Sequence, residues 1–293
     1  MKILNFGSLN IDYVYEVNHF VRSGETLASN KMEKFCGGKG LNQSLALARA
    51  GSNIYHAGCV GADSGMLIDI LRESGVDCSC IETLDGVTGH AIIQVDKNGE
   101  NCIILYGGAN NKITVKHIDN VLSNFEKGDY ILLQNEINNL DIIIDRAYQI
   151  GLKIILNPSP ISDDLKKLPL NKVSYLILNE IEGKELTGKE EPEDILKELR
   201  SKYPECVFVL TLGSKGSVYD DKTKRCTQGI FKVDVVDTTA AGDTFTGYFV
   251  HEITSGSAPE KALEVASKAA ALAVSRMGAA PSIPTYKEVM TFI

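Results

Sequence analysis

The sequence predicts an α/β protein in which a mostly parallel central sheet lies between two layers of helices, with a small second β-sheet beside it. From residue 113 onward, apolar runs of strand length alternate with stretches of helical periodicity, which is typical of a parallel sheet covered on both faces. A hairpin pattern interrupts this alternation between residues 89 and 106. The length of 293 residues allows one large domain, or a core with a small appendage.

Composition and charge narrow the possible classes of function. The net charge of −8 argues against a nucleic-acid or anionic-membrane surface. The seven cysteines and five histidines show no metal-ligand spacing, and an odd cysteine count favours free thiols in a reducing compartment. The chain starts without a signal-peptide pattern and contains no apolar run of about 20 residues. We therefore expect a cytoplasmic protein with neither nucleic acid nor membrane as partner.

The first predicted strand covers residues 3–8, an apolar run flanked by a glycine. Asn10 and Asp12 follow directly, at the C-terminal end of that strand, where open α/β sheets bind ligands. Asn and Asp are also common turn residues, so the pair alone leaves both interpretations open. Residues 13–35 then show the apolar alternation of strands.

A glycine cluster opens the next predicted helix, which runs to Gly51. Gly37, Gly38 and Gly40 would let a ligand approach the backbone closely, although a tight strand-to-helix turn would explain them equally well. A Rossmann fingerprint would need glycine in place of Gln43, and the Gly-Lys-Ser/Thr ending of a Walker A loop does not occur.

A β-α-β pattern follows, with strands at 54–60 and 76–81 around a helix at 62–74. Two further strands, His90–Val95 and Asn101–Tyr106, are joined through an Asn-Gly turn. Together with the strands of residues 13–35 they predict a small sheet that leaves one face and one edge to be covered by substrate or by a partner subunit.

In the second half of the chain, predicted strands and helices alternate regularly. Helices are predicted near 114–125, 140–150, 180–188 and 192–203, and strands at Tyr130–Gln134, Lys153–Asn157, Tyr175–Asn179 and Val207–Leu212. The polar residues at the ends of these strands are Glu136, Asn157, Asn179 with Glu182, and Thr211 with Gly213. Each could merely cap a helix, but their shared location is the edge where such sheets bind ligands. The turn at 211–216 suits a nucleotide phosphate or ribose as well as a hairpin.

The stretch Val236–Phe245 is the centre of the functional prediction. Phe245, Tyr248, Phe249 and Ile253 are spaced for the buried face of a helix, so Ala240, Ala241 and Gly242 lie at its N-terminus. Unpaired N–H groups and the helix dipole favour an anion there, and Asp243 places a carboxylate beside it. This combination suits phosphoryl transfer to an alcohol, although an acidic first turn is also common in helices without a ligand. A second helix is predicted at 258–277.

These motifs together resemble the ribokinase-like family of carbohydrate kinases over essentially the whole chain. Residues 37–43 and 237–245 carry the two most specific motifs, and residues 157–160, Asn179 with Glu182, and residues 211–216 follow the family's order between them. The resemblance implies a three-layer α/β/α fold in one domain, 1–293, with a β-sheet lid formed by strands at about 13–35 and 87–106.

The resemblance also implies an ATP-dependent kinase acting on the primary hydroxyl of ribose, because residues 108–111 and 237–243 are most similar to the ribose-phosphorylating members. Asp243 would be the catalytic base, and Ala240, Ala241 and Gly242 the anion hole. The residues implied to hold sugar hydroxyls are Asn10, Asp12, Gly38, Lys39, Gly40, Asn42, Glu136 and Asp243. Those implied to bind ATP are Asn179, Thr211, Leu212, Gly213, Ser214, Lys215, Gly216, Gly242 and Ser267.

Two cations and a partner subunit are implied in the same way. Asn179 and Glu182 would act on the Mg²⁺ of ATP through water. The residues implied to hold an activating K⁺ are Asp237, Thr239, Ala273, Arg276, Gly278 and Ser282. The lid would make a homodimer contact. Three residues depart from the family pattern. Ser267 replaces a larger polar residue, and Leu41 and Cys36 flank the glycine motif in place of more usual residues. Cys36 could make the site thiol-sensitive.

Other functions fit parts of the pattern. Fructose, deoxyribose or a nucleoside could be the acceptor, and Tyr13 or Tyr15 could supply the apolar wall that a nucleoside needs. A non-catalytic sugar or nucleotide sensor on the same scaffold would have no need of Asp243. A dehydrogenase is disfavoured because the dinucleotide fingerprint is missing.

Overall fold

The structure is a computed structural model that describes residues 1–292, leaving out the side chains of residues 163 and 164. In chain order the strands are β1 (Ile3–Phe6), β2 (Asn10–Glu16), β3 (Lys31–Gly37), β4 (Ile54–Val60), β5 (Asp77–Thr83), β6 (Gly89–Val95), β7 (Asn101–Tyr106), β8 (Tyr130–Gln134), β9 (Lys153–Asn157), β10 (Tyr175–Asn179), β11 (Val207–Thr211), β12 (Ser217–Asp220) and β13 (Arg225–Gln228). The helices are α1 (Lys39–Ala50), α2 (Gly65–Glu73), α3 (Val115–Leu122), α4 (Leu140–Ile150), α5 (Glu180–Thr187), α6 (Pro192–Lys202), α7 (Ala241–Thr254), α8 (Pro259–Val274) and α9 (Tyr286–Thr291).

Over residues 1–292, nine strands form the large sheet in the order β13-β12-β11-β10-β9-β8-β1-β4-β5. The pairs that involve β12 are antiparallel, and the other neighbours run parallel. Strand β1 is the third strand from the β5 edge, and its Phe6 pairs with Ala57 on one side and Leu133 on the other. The predicted, mostly parallel sheet is confirmed.

Helices cover both faces of this sheet. Successive residues of a strand point to opposite sides, and the strands are apolar on both. In β1, Leu4 and Phe6 join a buried cluster under α3, α4 and α6, whereas Ile3 joins a second cluster under α1, α7 and α8. Tyr248 of α7 is fully buried in the second cluster. The three-layer arrangement therefore follows from strands that are apolar on both faces.

Within the same range, four strands form the small sheet in the order β3-β2-β6-β7. The predicted hairpin is confirmed as β6 and β7, which pair in antiparallel register. Strand β7 is exposed along its whole length, with Ile103, Ile104, Leu105 and Tyr106 between 52% and 61% exposed.

Asn10 and Asp12 require a correction. They do not lie in a turn at the end of β1 but inside β2, the first strand of the small sheet. The reason is pairing on both sides, since Asn10 lies opposite Gly37 in β3 and opposite Gly89 in β6. The small sheet thus begins at residue 10 rather than 13, and it brings both side chains over the end of β1.

Two short elements lie outside the predicted pattern. Strand β13 is a polar edge strand, and α9 is a six-residue helix fixed by a capping box between Thr285 and Glu288. The helix predicted at 258–277 ends earlier, at Val274, with Gly278 in a left-handed conformation at φ 83°.

Among the described residues, none of the helices has the length and apolar character needed to cross a membrane.

Candidate active site

The N-terminus of α7 has the conformation of an anion-binding turn. Ala240 caps the helix in the left-handed region at φ 59°, a strained position for a residue with a Cβ atom. The carbonyl of Ala240 accepts the N–H of Thr244 at 2.8 Å, which starts the helical ladder. A Cβ atom at Gly242 would meet open space, so the first N–H groups of the helix face a free volume. The helix begins where the sequence predicts.

This turn forms one wall of a cleft of about 210 Å³. The carboxyl ends of β9, β10 and β11 form the opposite wall, as expected for a parallel sheet. The lining residues are Lys39, Asn157, Ser159, Ile177, Leu178, Asn179, Glu182, Thr211, Thr238, Ala240, Ala241, Gly242, Asp243 and Thr246.

Asp243 lies in this cleft and is only 7% exposed. Its Oδ2 accepts a hydrogen bond from the side-chain amide of Asn42 at 2.9 Å, and its Oδ1 accepts one from Gln43 at 2.9 Å. Both donors stand in the first turns of α1, so the glycine motif and the α7 motif meet at this carboxylate. Each oxygen keeps a lone-pair direction for a substrate hydroxyl.

A buried chain of amides extends behind Asp243. Gln43 accepts a hydrogen bond from Gln134 at 2.7 Å, and Gln134 also donates to Asn5 at 2.9 Å. Asn5 in turn donates to the carbonyl of Gly40 at 2.7 Å and to Ser44 at 2.8 Å. These bonds join β1 and β8 to α1 and hold the orientation of Gln43.

Gly40 permits this packing. A Cβ atom there would lie 2.3 Å from the backbone nitrogen of Ser8, so only glycine lets α1 begin against the end of β1. Gly38 precedes the helix at φ 93°, in the region that favours glycine. The two glycines bring the backbone N–H of Lys39 to a carboxylate oxygen of Glu136, at 2.9 Å.

Polar side chains from both sheets gather next to this turn. Glu136 also accepts the hydroxyl of Ser8, and Asn10 accepts the side-chain amide of Asn110 at 2.8 Å. The carboxylate of Asp12 packs directly on Gly37, since a Cβ atom there would lie 2.1 Å from an Asp12 oxygen. The structure thus places Asn10, Asp12 and Glu136 around one region beside Lys39.

Burial and repulsion between like charges raise the pKa values of the acidic side chains in this region. Burial, followed by repulsion from Glu136, raises the pKa of Asp12 to about 7. Burial also raises the pKa of Glu136, against the opposing effect of Lys39. Burial lowers the pKa of Lys39, but attraction to Asp243, Glu136 and Glu182 outweighs it and the net pKa is raised. Lys39 is therefore a partly buried cation among these acids.

On the wall of the cleft that β10 forms, Asn179 and Glu182 form a capping box at the start of α5. The side-chain oxygen of Asn179 accepts the N–H of Glu182 at 2.9 Å, and Glu182 accepts the N–H of Asn179 at 2.9 Å. Burial raises the pKa of Glu182, opposed by hydrogen bonds from Asn179 and Ser159. Both residues also line the cleft, so capping and ligand binding are compatible.

Only the first residue of the predicted 211–216 turn lines the cleft. Thr211 lines it, while residues Gly213–Lys215 form an outward 3₁₀ turn in which Lys215 lies 3.5 Å from Glu180. Leu212 donates its N–H to Gly216 at 2.7 Å and closes this turn. Ser214 is exposed beside them. Ser267 is 9% exposed on α8, outside the set of lining residues.

The segment before α7 packs against the end of α8. Asp237 accepts the N–H and the hydroxyl of Thr239 at 2.9 Å and 2.6 Å, and the N–H of Gly278 at 2.9 Å. Burial raises the pKa of Asp237, but these hydrogen bonds outweigh it and the net pKa is lowered. Of the other residues implied in cation binding, Ala273 lies in the last turn of α8 and its carbonyl accepts the N–H of Arg276 at 3.1 Å, and Ser282 is buried.

Sequence reasoning missed several contributors. Gln43 belongs to the glycine motif, but its contact with Asp243 was not predicted. Gln134 and Asn5 are single polar residues in otherwise apolar strands, and that contrast is the pattern that could have indicated them. Burial, followed by repulsion from Asp12, raises the pKa of Cys36 to about 11, which argues against the thiol sensitivity considered above.

The fold and the cleft define a class of protein: an α/β protein with a carboxylate at a helix N-terminus, an arrangement that suits phosphoryl transfer to an alcohol. Residues 1–286 match the pfkB family carbohydrate kinase profile, and the chain belongs to that family.

Relatives and solved structures agree over nearly the whole chain. The ribokinase of Haemophilus influenzae is 35% identical over 98% of this chain and 96% of its own. The crystal structure of ribokinase from Cryptococcus neoformans in complex with ADP has a TM-score of 0.88 at 31% identity, covering 100% of this chain and 99% of that one. Arabidopsis thaliana ribokinase complexed with ribose and ATP has a TM-score of 0.86 at 30% identity, covering 99% and 97%.

Proposed function

We propose that this protein transfers the γ-phosphoryl group of ATP to the 5-hydroxyl of D-ribose. One observation carries the proposal: Asp243, buried and held by two amides, stands in a cleft at the N-terminus of α7. The similarity to ribokinases, including one complexed with ribose and ATP, supports ribose as the acceptor.

In the reaction, the hydroxyl of the sugar gives its proton to the carboxylate of Asp243. The hydroxyl oxygen bonds to the γ-phosphorus, the bond from that phosphorus to the bridging oxygen of ADP breaks, and ADP leaves. The N–H groups at Ala241 and Gly242 stabilise the charge on the transferring group. Lys39, which stays protonated because its pKa is raised, adds positive charge at the same place.

The sugar would bind in the region where the two sheets meet. Asn10, Asp12 and Glu136 offer oxygen acceptors to the hydroxyls that are not phosphorylated. Gly38 and Gly40 leave room for the ring beside the backbone, and Asn42 holds the base next to the reacting hydroxyl. The remaining hydroxyls would bind on the small-sheet side and the 5-hydroxyl would point at Asp243.

ATP would lie along the ends of β10 and β11, with its phosphates at α7. Asn179 and Glu182 fit the Mg²⁺ that accompanies ATP, because they present oxygen atoms of the kind this ion prefers and their own cap bonds leave lone pairs for its water shell. The ion neutralises phosphate charge when bound. Thr211 and the turn to Gly216 would contact the nucleoside part.

A K⁺ ion fits the strip between Asp237 and the end of α8. Its donors would be the Asp237 carboxylate, the hydroxyl of Thr239, and oxygens of residues 273–282. The observations that support this fit are the hydrogen bonds that Asp237 accepts from Thr239 and Gly278, which lower its pKa and keep its negative charge near the end of α8. An ion there would fix the turn that leads into α7.

The small sheet would act as lid and dimer contact, because β7 is an apolar edge strand exposed along its length. We infer that two copies pair through this sheet. We also infer a cytoplasmic location, which the free state of the seven cysteines supports.

A substrate panel tests the function. ATP consumption is measured with ribose, deoxyribose, fructose and a nucleoside as acceptors, each with Mg²⁺. Ribose should give the highest kcat/KM, and the product should carry phosphate on the 5-oxygen. Preference for another acceptor would replace ribose by that substrate, and sugar binding without any ATP consumption would identify a sensor.

A further inference from the structure

Away from the cleft, three side chains of metal-ligand type converge at one side of the large sheet. Cys59 in β4 and Glu82 in β5 lie side by side, because the parallel register pairs these two residues. His117 in α3 packs over them, with Nδ1 3.3 Å from a carboxylate oxygen of Glu82. One ligand atom from each of the three lies within 4.8 Å of the other two.

The surroundings hold this arrangement in place. Cys59 is fully buried, and the His117 side chain is 11% exposed with its ring edge-on to Phe6 at 5.9 Å. Within the described part of the chain, Nε2 of His117 is buried and has no hydrogen-bond partner. Glu82 is 44% exposed and opens the group to solvent. A buried imidazole nitrogen without a partner is costly unless something binds it.

The donor set is selective. A thiolate, an imidazole and a carboxylate are the ligands of Zn²⁺, which takes three protein ligands and a water in its open sites. Mg²⁺ and Ca²⁺ prefer oxygen alone. We propose that Cys59, Glu82 and His117 bind a Zn²⁺ ion, with water as the fourth ligand.

This site is distinct from the cleft. Cys59 and His117 belong to the side of the sheet covered by α3 and α4, whereas the helix of Asp243 covers the opposite side. The ion would tie β4 and β5 to α3 and stabilise the folded state by an amount that grows with the logarithm of its free concentration above Kd. Because burial raises the pKa of the Cys59 thiol to about 12, binding releases that proton to solvent.

The test uses the full chain after treatment with a chelator. Co²⁺ serves as the spectroscopic probe, because a cobalt–thiolate bond gives a charge-transfer band that oxygen and nitrogen ligands do not. Wild type should bind one Co²⁺ with this band, and Zn²⁺ should displace it and raise the Tm. Absence of either the band or the Tm increase would overturn the proposal.

Variants locate the site. C59S should lose the band, and E82Q and H117N should each weaken Zn²⁺ binding by about 10- to 100-fold while leaving the fold intact, since they lie nearer the surface. The controls are C206S, equally a buried thiol, and C102S, an exposed thiol on β7. A band that survives C59S, disappears in C102S, or is unaffected by both E82Q and H117N would place the metal elsewhere and refute the site.

Discussion

Gln43 donates a side-chain hydrogen bond to Oδ1 of Asp243 at 2.9 Å and accepts one from Gln134 at 2.7 Å. An amide that is itself polarised by another amide is a stronger donor, and its orientation is fixed. The pair also connects α1, which starts at the glycine motif, to α7, which provides the anion-binding turn. The proposed base is therefore positioned by the core of the protein and not by a flexible loop.

Removal of the proposed base gives the first prediction. D243A should lower kcat by about 10²- to 10⁴-fold, because the hydroxyl proton loses its acceptor, while ATP binding persists. The measurement is steady-state turnover together with ATP affinity by calorimetry. The matched control is D141A, which removes the acidic first-turn residue of α4. Near-normal turnover in folded D243A would remove Asp243 from this role.

The amide behind the base gives the second prediction. Q43L leaves Gln134 without one of its two acceptors and Asp243 without one of its two donors, so we expect a loss of about 1–3 kcal/mol in the free energy of unfolding. Misplacement of the base should also lower kcat by about 10- to 100-fold. Urea denaturation and kinetics measure the two effects, with Q149L, at an exposed position of α4, as control.

A pH profile separates positioning from simple structural damage at Gln43. Q43E keeps the size of the side chain but places a second carboxylate against Asp243. Because like charges raise the pKa of a carboxyl group, the acidic limb of the kcat profile should move to higher pH than in wild type. An unchanged limb would mean that residue 43 does not act on the base.

The positions of these residues in the fold explain which features the sequence alone could predict. Strands such as Tyr130–Gln134 were predicted to the residue because their apolar runs have sharp polar ends. The Gln43–Gln134 contact joins residues on different elements and depends on the register of β1 and β8, which local patterns do not determine. The same holds for Cys59 and His117, which are far apart in the chain. Asn10 was misplaced because pairing with a distant strand, β6, determines its conformation.

Sugar affinity gives the third prediction, through Asp12. Its pKa is about 7 in the free protein because burial and Glu136 disfavour its charge. Sugar hydroxyls donate to the ionised form, so substrate should bind more tightly as the pH rises through 7. Below pH 7, KM for ribose should increase about tenfold per pH unit, since each unit lowers the ionised fraction tenfold.

D12N is the control for this pH dependence, because its side chain stays neutral at all values. It should show a high KM that does not change between pH 6 and 8. A KM in wild type that is flat over the same range would contradict the assignment of Asp12 to the sugar site.

The exposed edge of the lid gives the fourth prediction. I104D places a charge in the middle of β7, where the wild-type side chain is 61% exposed and would be buried in a dimer. Sedimentation velocity over a range of protein concentrations should show a dimer for wild type and a monomer for I104D. M290D, on the exposed face of α9, should remain dimeric. A wild-type monomer at all concentrations would exclude the contact.

The fifth prediction concerns K⁺ and the strip at Asp237. Replacing Na⁺ by K⁺ should raise kcat, because an ion of the right size would hold residues 237–239 and thereby the first turn of α7. D237N should be insensitive to the choice of cation, since it loses the charge that attracts the ion.

The matched control is D221N, because Asp221 accepts the N–H of Thr223 at 2.6 Å and its hydroxyl at 2.9 Å, as Asp237 does with Thr239. D221N should keep the full response to K⁺. If wild type responds equally to both cations, or if D221N and D237N lose the response alike, the ion does not act at Asp237.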